Sequence, residues 1–330
     1  MSTSPQLLLA LDYGGTKHAA ALLRVGERAW AAHARVQSPP GADAAYDMAT
    51  MRRMTHGLLA QVPGRLSAIG VSFGGPVDAA RGLVRLSHHV PGWEEIPLAE
   101  QLRAELGATA AVDNDANVAA LGEWRFGAGQ GAESLLYVTI STGIGGGWVL
   151  GGRIWGGADG MAGEIGHMIV RPGGALCACG RRGCAEAEAS GWAIAAKTRD
   201  RLSDERRKTK DEGERLLTLA GGRAETVTAQ MVAQAAGAGD ALAPAVMEEA
   251  ARALGSALGA AISLINPERI VLGGGVTKAG ARWWRTVRAE ARATAFAQSR
   301  AEIVPAFLGD DAPLWGAIAL AESAVGRSAN

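Results

Sequence analysis

Apolar positions in the first forty residues fall into short runs separated by glycine. Leu7–Leu11 is an unbroken apolar run that ends at Asp12, followed by Tyr13-Gly14-Gly15-Thr16-Lys17. Ala19–Val25 and Ala29–Val36 come next, parted by Gly26-Glu27-Arg28. Runs of this length bounded by glycine predict a strand, a tight loop and two further hairpin strands. Asp43–Val62 carries its apolar residues at helical spacing, and Ala68–Phe73 is strand-like until Gly74-Gly75-Pro76 ends it. A helix over Leu98–Leu106 then leads to a strand at Ala110–Val112. The polar run Asp113-Asn114-Asp115-Ala116-Asn117 and a helix Val118–Phe126 follow.

The pattern then restarts. Leu135–Ile140 reads as a strand, Ser141–Gly147 as a glycine-rich turn and Trp148–Leu150 as a returning strand. Helical periodicity dominates from about Ser190 to Ile265, and a strand Arg269–Leu272 runs into Gly273-Gly274-Gly275. A strand, a glycine loop and a second strand thus occur twice, near Asp12 and near Ser141. That predicts duplicated α/β halves, with ligands held at the carboxyl ends of strands. The restart puts the boundary near Asp115–Asn117, giving an N-terminal α/β lobe over residues 1–116 and a larger lobe over 117–311.

Composition narrows the class. The 330 residues suit two domains, and 48% hydrophobic with 20% charged residues is the balance of a soluble globular chain. Basic and acidic residues both number 33, so the overall charge gives no case for nucleic acid or an anionic membrane. The run Arg201–Arg215 alternates in sign and reads as a solvated helix or loop. Met1–Gln6 lacks the charge and apolar core of a signal peptide. The longest apolar stretch, Ala241–Ile265, carries Glu248, Glu249 and Arg252, which predicts a buried helix and not a membrane span. A cytoplasmic protein with no membrane or nucleic-acid partner is expected.

Four segments carry candidate chemistry. In Asp12–Lys17, Gly14 and Gly15 let backbone N–H groups approach a ligand. Thr16 offers a hydroxyl, Lys17 a cation, and Asp12 a strand-end carboxylate for hydrated Mg²⁺. An ordinary Gly-Gly hairpin turn explains the same residues. Ser141-Thr142-Gly143 opens a second such loop, and a triphosphate has oxygens enough for both. Gly273-Gly274-Gly275 would let a ring or ribose lie against bare backbone, or is a tight strand-to-helix turn. Asp115, at a strand end, suits a carboxylate that accepts a hydroxyl proton, with Asn114 on the neighbouring hydroxyl. The same stretch is good helix-capping chemistry, and Asp113, Asp115 or Asn117 could cap.

His167, Cys177, Cys179 and Cys184 give the sharpest signal. These are the chain's 3 cysteines, and with the histidine they supply four soft ligands for tetrahedral Zn²⁺. Gly180 and Gly183 permit the turns of such a knuckle. Buried unliganded thiols are the alternative. With four protein ligands the site would be structural, leaving no position for a catalytic water.

The motifs resemble, in order, those of the ROK (repressor, open reading frame, kinase) family. They are Asp12–Lys17, Asn114–Asn117 with Ala120-Leu121-Gly122-Glu123, Ser141–Gly147 and Gly163-Glu164-Ile165-Gly166-His167. Cys177-Ala178-Cys179-Gly180 with Gly183-Cys184-Ala185-Glu186, and Asn266–Gly275, complete the set. The resemblance implies a two-lobed α/β fold of the actin-like, hexokinase type, with duplicated ribonuclease H-like domains and a cleft between lobes. It also implies that a last helix, about 312–330, returns to the N-terminal lobe. The implied activity is ATP-dependent phosphorylation of a hexose hydroxyl, glucose by default, with ATP, Mg²⁺ and Zn²⁺ and a homodimeric or homotetrameric state. An N-acetylhexosamine kinase and a non-catalytic sugar-sensing regulator are the alternatives. Only eleven residues precede Asp12, too few for a DNA-binding helix pair, which favours the kinase.

Carried over by residue, the resemblance makes Asp115 the general base. Gly75, Asn114, Glu164, His167 and Glu186 become sugar contacts, with one His167 nitrogen on zinc and the other facing sugar. Asp12, Gly14, Gly15, Thr16, Lys17, Ser141, Thr142, Gly143, Gly273, Gly274 and Gly275 would hold the nucleotide. The sequence departs from the family at His89, where asparagine is usual before Gly92-Trp93, and at Ala185 in place of leucine. His88 and His89 either line the sugar pocket or lie on the surface.

Overall fold

The computed structural model describes residues 4–204 and 213–327, so most of the Arg201–Arg215 charge run lies outside the described residues. The first half contains β1 (Gln6–Tyr13), β2 (Lys17–Arg24), β3 (Ala32–Gln37), α1 (Ala44–Gln61), β4 (Arg65–Phe73), β5 (Val77–Asp78), β6 (Leu83–Val84), α2 (Leu98–Leu106), β7 (Thr109–Asn114) and α3 (Asp115–Phe126). Then come β8 (Ser134–Ile140), β9 (Ile144–Leu150), β10 (Arg153–Ile154), α4 (Ala185–Ala189), α5 (Gly191–Ser203), α6 (Glu214–Leu219), α7 (Ala229–Gly237) and α8 (Ala243–Ile265). The chain closes with β11 (Arg269–Gly273), α9 (Ala281–Thr294), β12 (Glu302–Pro305) and α10 (Ala312–Arg327).

Two compact units result: Met1–Glu133 with Gly147–Ala162 and Phe307–Asn330, and Ser134–Gly146 with Gly163–Ala306. One five-stranded sheet has the order β3-β2-β1-β4-β7 and the other β10-β9-β8-β11-β12. Setting aside the separate β5-β6 ladder and counting each sheet from its own first strand, both read 3-2-1-4-5. The repeat seen in the sequence is therefore a repeated topology, in a mixed α/β fold with two sheets in two lobes.

The apolar run of β1 is continuous because both of its faces are covered. Leu7, Leu9, Leu11 and Tyr13 pack with Met51, Met54 and Leu58 of α1 and Leu98 and Leu102 of α2. Leu8 and Ala10, alternating with them, pack with Val118 of α3 and Leu314, Ala317, Ile318 and Ala321 of α10. The last helix thus supplies one covering layer of the first sheet. It sits close enough that a Cβ on Gly70 of β4 would overlap the Ala317 carbonyl, and one on Gly316 the Val118 carbonyl. At the far end of α3, the fully buried Glu123 carboxylate accepts the N–H groups of Ala128 (2.8 Å), Phe307 (3.1 Å) and Leu308 (2.8 Å). It secures the segment that leads into α10.

In the second unit, α8 is the buried helix expected over Ala241–Ile265. Its charged residues turn outward, where Glu248 pairs with Arg252 at 2.8 Å and with Arg282 at 2.8 Å. Among the described residues, no helix is long and apolar enough to cross a membrane.

Replacing Gly70 by alanine should force α10 off β4. Overpacking of this kind costs about 2–3 kcal/mol, read as a lower denaturant midpoint. An unchanged midpoint would show that the helix has slack there.

Candidate functional site

In the first unit the site is built where three parallel strands end. The register pairs Asp12 of β1 with Ser72 of β4, and Phe73 of β4 with Asn114 of β7. The buried Asp12 carboxylate accepts the Ser72 hydroxyl at 2.8 Å, and burial raises its pKa. Asn114 caps α3, its Oδ1 accepting the N–H groups of Ala116 (3.0 Å) and Asn117 (3.4 Å). The cap is therefore none of the three residues offered by the sequence. Asp113 is occupied instead by Asn117 Nδ2 at 3.0 Å and the Asn114 N–H at 2.7 Å. Asn114 Nδ2 also donates to the Gly75 carbonyl at 3.1 Å, joining two of the expected sugar-contact residues.

Asp115 is the first residue of α3 and accepts the Ala116 N–H at 2.8 Å. Its side chain remains open to solvent above Gly74. Desolvation by the surrounding protein, and then the charge of Asp12, push its pKa up to about 6. A carboxylate titrating there is ionised at neutral pH and still basic enough to take a proton.

The Gly14–Lys17 loop is a hairpin turn closed by the Gly14 N–H on the Lys17 carbonyl at 3.1 Å. A Cβ on Gly14 would meet that carbonyl at 2.8 Å, so the turn requires this glycine. Gly15 is different: its φ is not positive, and a Cβ would make only ordinary contacts with His89, 3.5 Å away at nearest. Gly15 and Thr16 are exposed. The fold alone does not require a bare backbone at Gly15. His89 is exposed and lies beside this loop.

In the second unit, Ser141-Thr142-Gly143 is held by α5, whose Gly191 and Trp192 N–H groups donate to the Ser141 (2.8 Å) and Thr142 (3.3 Å) carbonyls. Among the three consecutive glycines, Gly273 is pressed against the Tyr137 ring and Gly274, at φ +88°, against the Ile140 backbone. The turn explains both. Gly275 has open space where a side chain would be.

His167, Cys177, Cys179 and Cys184 come together with their ligand atoms all within 4.8 Å of one another. His167 Nδ1 lies 3.6 Å from Cys177 Sγ, and Cys179 Sγ 3.7 Å from Cys184 Sγ. A tetrahedron around zinc, with bonds of about 2.0–2.3 Å, has edges of about 3.5–3.8 Å. The donor types suit that ion, and these two of the six pair distances match its edges, while the cluster as a whole is looser, with separations up to 4.8 Å. His167 Nε2 points away from the cluster, 3.8 Å from Glu164 Oε2. Glu186 follows Cys184 closely and accepts the Ile144 N–H at 3.0 Å.

Sequence reasoning missed three supporting groups. Ser72 is legible only once β1 and β4 are paired. Glu188, buried, accepts Lys197 Nζ at 2.5 Å and the Ala175 N–H at 2.8 Å, steadying the cysteine segment. Asp47 of α1 accepts His18 Nε2 at 2.7 Å and Trp93 Nε1 at 3.0 Å, tying the start of β2 to the segment containing His89.

Comparison with known proteins gives concordant matches. The ROK family profile matches residues 8–324. A glucokinase of Halalkalibacterium halodurans is 40% identical over 253 residues, covering 75% of this chain and 74% of that one. The crystal structure of a ROK family glucokinase from Streptomyces griseus, in complex with glucose and AMPPNP, superposes with a TM-score of 0.80. It is 32% identical and covers 96% of this chain and 99% of that one. A ROK hexokinase from Thermus thermophilus gives a TM-score of 0.79 at 33% identity, covering 97% and 99%.

The electrostatic arrangement has a direct test. A carboxyl NMR titration should place the Asp115 midpoint near 6. Asp12→Asn removes a like charge and should lower that midpoint. An Asp115 midpoint at the ordinary value of about 3.9 in the unaltered protein would contradict the arrangement.

Proposed function

The chain belongs to the ROK family, and on that premise we propose that it is an ATP-dependent kinase whose acceptor is glucose, giving glucose 6-phosphate. The observation that carries this reading is Asp115: a solvent-reachable carboxylate at a strand end, with its pKa raised to about 6. The acceptor hydroxyl gives its proton to Asp115 as its oxygen attacks the γ-phosphorus, and ADP departs. Asn114, held by the Gly75 carbonyl and by its capping bonds, presents its amide to a neighbouring hydroxyl. Glu164, His167 and Glu186 are assigned to further sugar hydroxyls.

Asp12 is the residue for hydrated Mg²⁺, which would neutralise charge on the phosphates. The Gly14–Lys17 and Ser141–Gly143 loops take the phosphate oxygens. The bare backbone at Gly275 suits the ribose or base better than Gly273 and Gly274, which the turn already explains. Bound zinc would supply rigidity. With Nδ1 on the metal, His167 would keep its proton on Nε2 and would be a fixed donor on the Glu164 side.

ADP release over a panel of sugars at fixed MgATP tests the whole. Glucose should give the highest kcat/KM, rising with pH through about 6 and level above it, because protonated Asp115 cannot accept a proton. Asp115→Ala should lower kcat by about 10²–10⁴-fold while glucose binding changes far less. A preference for N-acetylmannosamine would move the substrate to the N-acetylhexosamines. Release with no sugar at all would overturn the kinase reading.

The metal is tested separately. Elemental analysis should find one zinc per chain, and Cys179→Ser should lose it together with several degrees of melting temperature. Metal-free protein with an unchanged melt would refute the assignment.

A further inference from the structure

Glu186 stands between two parts of the second unit. It sits in the first turn of α4, just past the cluster residue Cys184. Oε2 accepts the Ile144 N–H at 3.0 Å, at the point where the Ser141–Gly143 loop enters β9. Oε1 faces Cys177 Sγ at 3.9 Å. Were Cys177 to bind a metal as a thiolate it would have no proton to give, and Oε1 would be left to accept from another donor. The loop is shaped around this carboxylate: a Cβ on Gly143 would lie 2.5 Å from Oε2, and Gly143 does not have a positive φ. A side chain at 143 would therefore push Oε2 off its place.

We propose that Glu186 couples the binding of sugar to the binding of nucleotide phosphates, acting as the positioning residue of the Ser141–Gly143 loop. The proposal rests on the kinase reading above. A sugar hydroxyl on Oε1 removes the carboxylate's rotational freedom and fixes Oε2 on the Ile144 N–H. The loop is then ordered before the phosphates arrive, and phosphates that order the loop hold Glu186 ready for sugar. Linkage requires the two effects to be equal in size.

Calorimetric titration of zinc-loaded protein with MgAMPPNP, with and without saturating glucose, reads this coupling, and so does the reverse titration. In the unaltered protein each ligand should tighten the other by about tenfold. Glu186→Ala should weaken MgAMPPNP about tenfold in the absence of any sugar, the loss expected for one charged acceptor. Glu186→Gln keeps an oxygen for Ile144 and should hold MgAMPPNP affinity within about twofold while weakening glucose. Gly143→Ala strikes the same contact from the loop side, displacing Glu186 Oε2 and leaving Asn114, Glu164 and His167 unaltered. With zinc content and melting temperature unchanged, it should weaken glucose severalfold with no nucleotide present. Unaltered MgAMPPNP affinity in Glu186→Ala, or unaltered glucose affinity in Gly143→Ala, would overturn the coupling alone. An unaltered protein that binds neither ligand would overturn the kinase reading and the coupling with it.

Discussion

The parallel register of β1, β4 and β7 is the constraint from which the first half of the site follows. It sets Asp12 level with Ser72 and Phe73 level with Asn114, so three strand ends finish on one edge. Each chain segment must turn there, and each turn brings a polar residue or bare backbone to the same place. A one-residue slip in any pair would send these side chains to the opposite face of the sheet. The register is held by burial on both sides, with alternate residues of β1 committed to two different apolar layers.

That crowding also sets the ionisation of the site. Asp12 is buried and satisfied by Ser72, and Asp115 lies within reach of its charge. Two carboxyl groups near one another at a strand edge resist losing both protons, and desolvation adds to the resistance. The fold thereby makes an ordinary aspartate more basic. In the second unit a buried Glu188, accepting Lys197 Nζ and the Ala175 N–H, steadies the segment in which His167 and the three cysteines gather.

Much of this was legible in the sequence, for identifiable reasons. Strands buried on both faces read as unbroken apolar runs, so β1, β4 and β8 stand out. Three cysteines close together beside a histidine have few uses, and the structure brings all four side chains together. The cap of α3 was not legible, because four of the five residues from Asp113 to Asn117 are competent and only the backbone geometry of Asn114 decides. The glycines of Gly273–Gly275 look equivalent in sequence, yet two are consumed by contacts with Tyr137 and Ile140 of a different strand. The bonds from Asp47 to His18 and Trp93 span 29 and 46 residues, and no local pattern announces such partners.

The seat of α10 has a bearing on how the molecule is made. The face of the first sheet bearing Leu8, Ala10, Ala19, Ala21 and Ala68 is covered by a helix that begins at Ala312. During synthesis that sheet is complete when β7 ends at Asn114, and its cover begins about two hundred residues later at Ala312, with the ribosome adding about 5–20 residues per second. For about ten to forty seconds the nascent chain carries an apolar surface that α3 covers only in part, through Val118. The second unit can condense in that interval, since its segments all precede Phe307. Completion of the first unit waits for α10, and chaperones that shield apolar sheet faces have their natural window before it emerges.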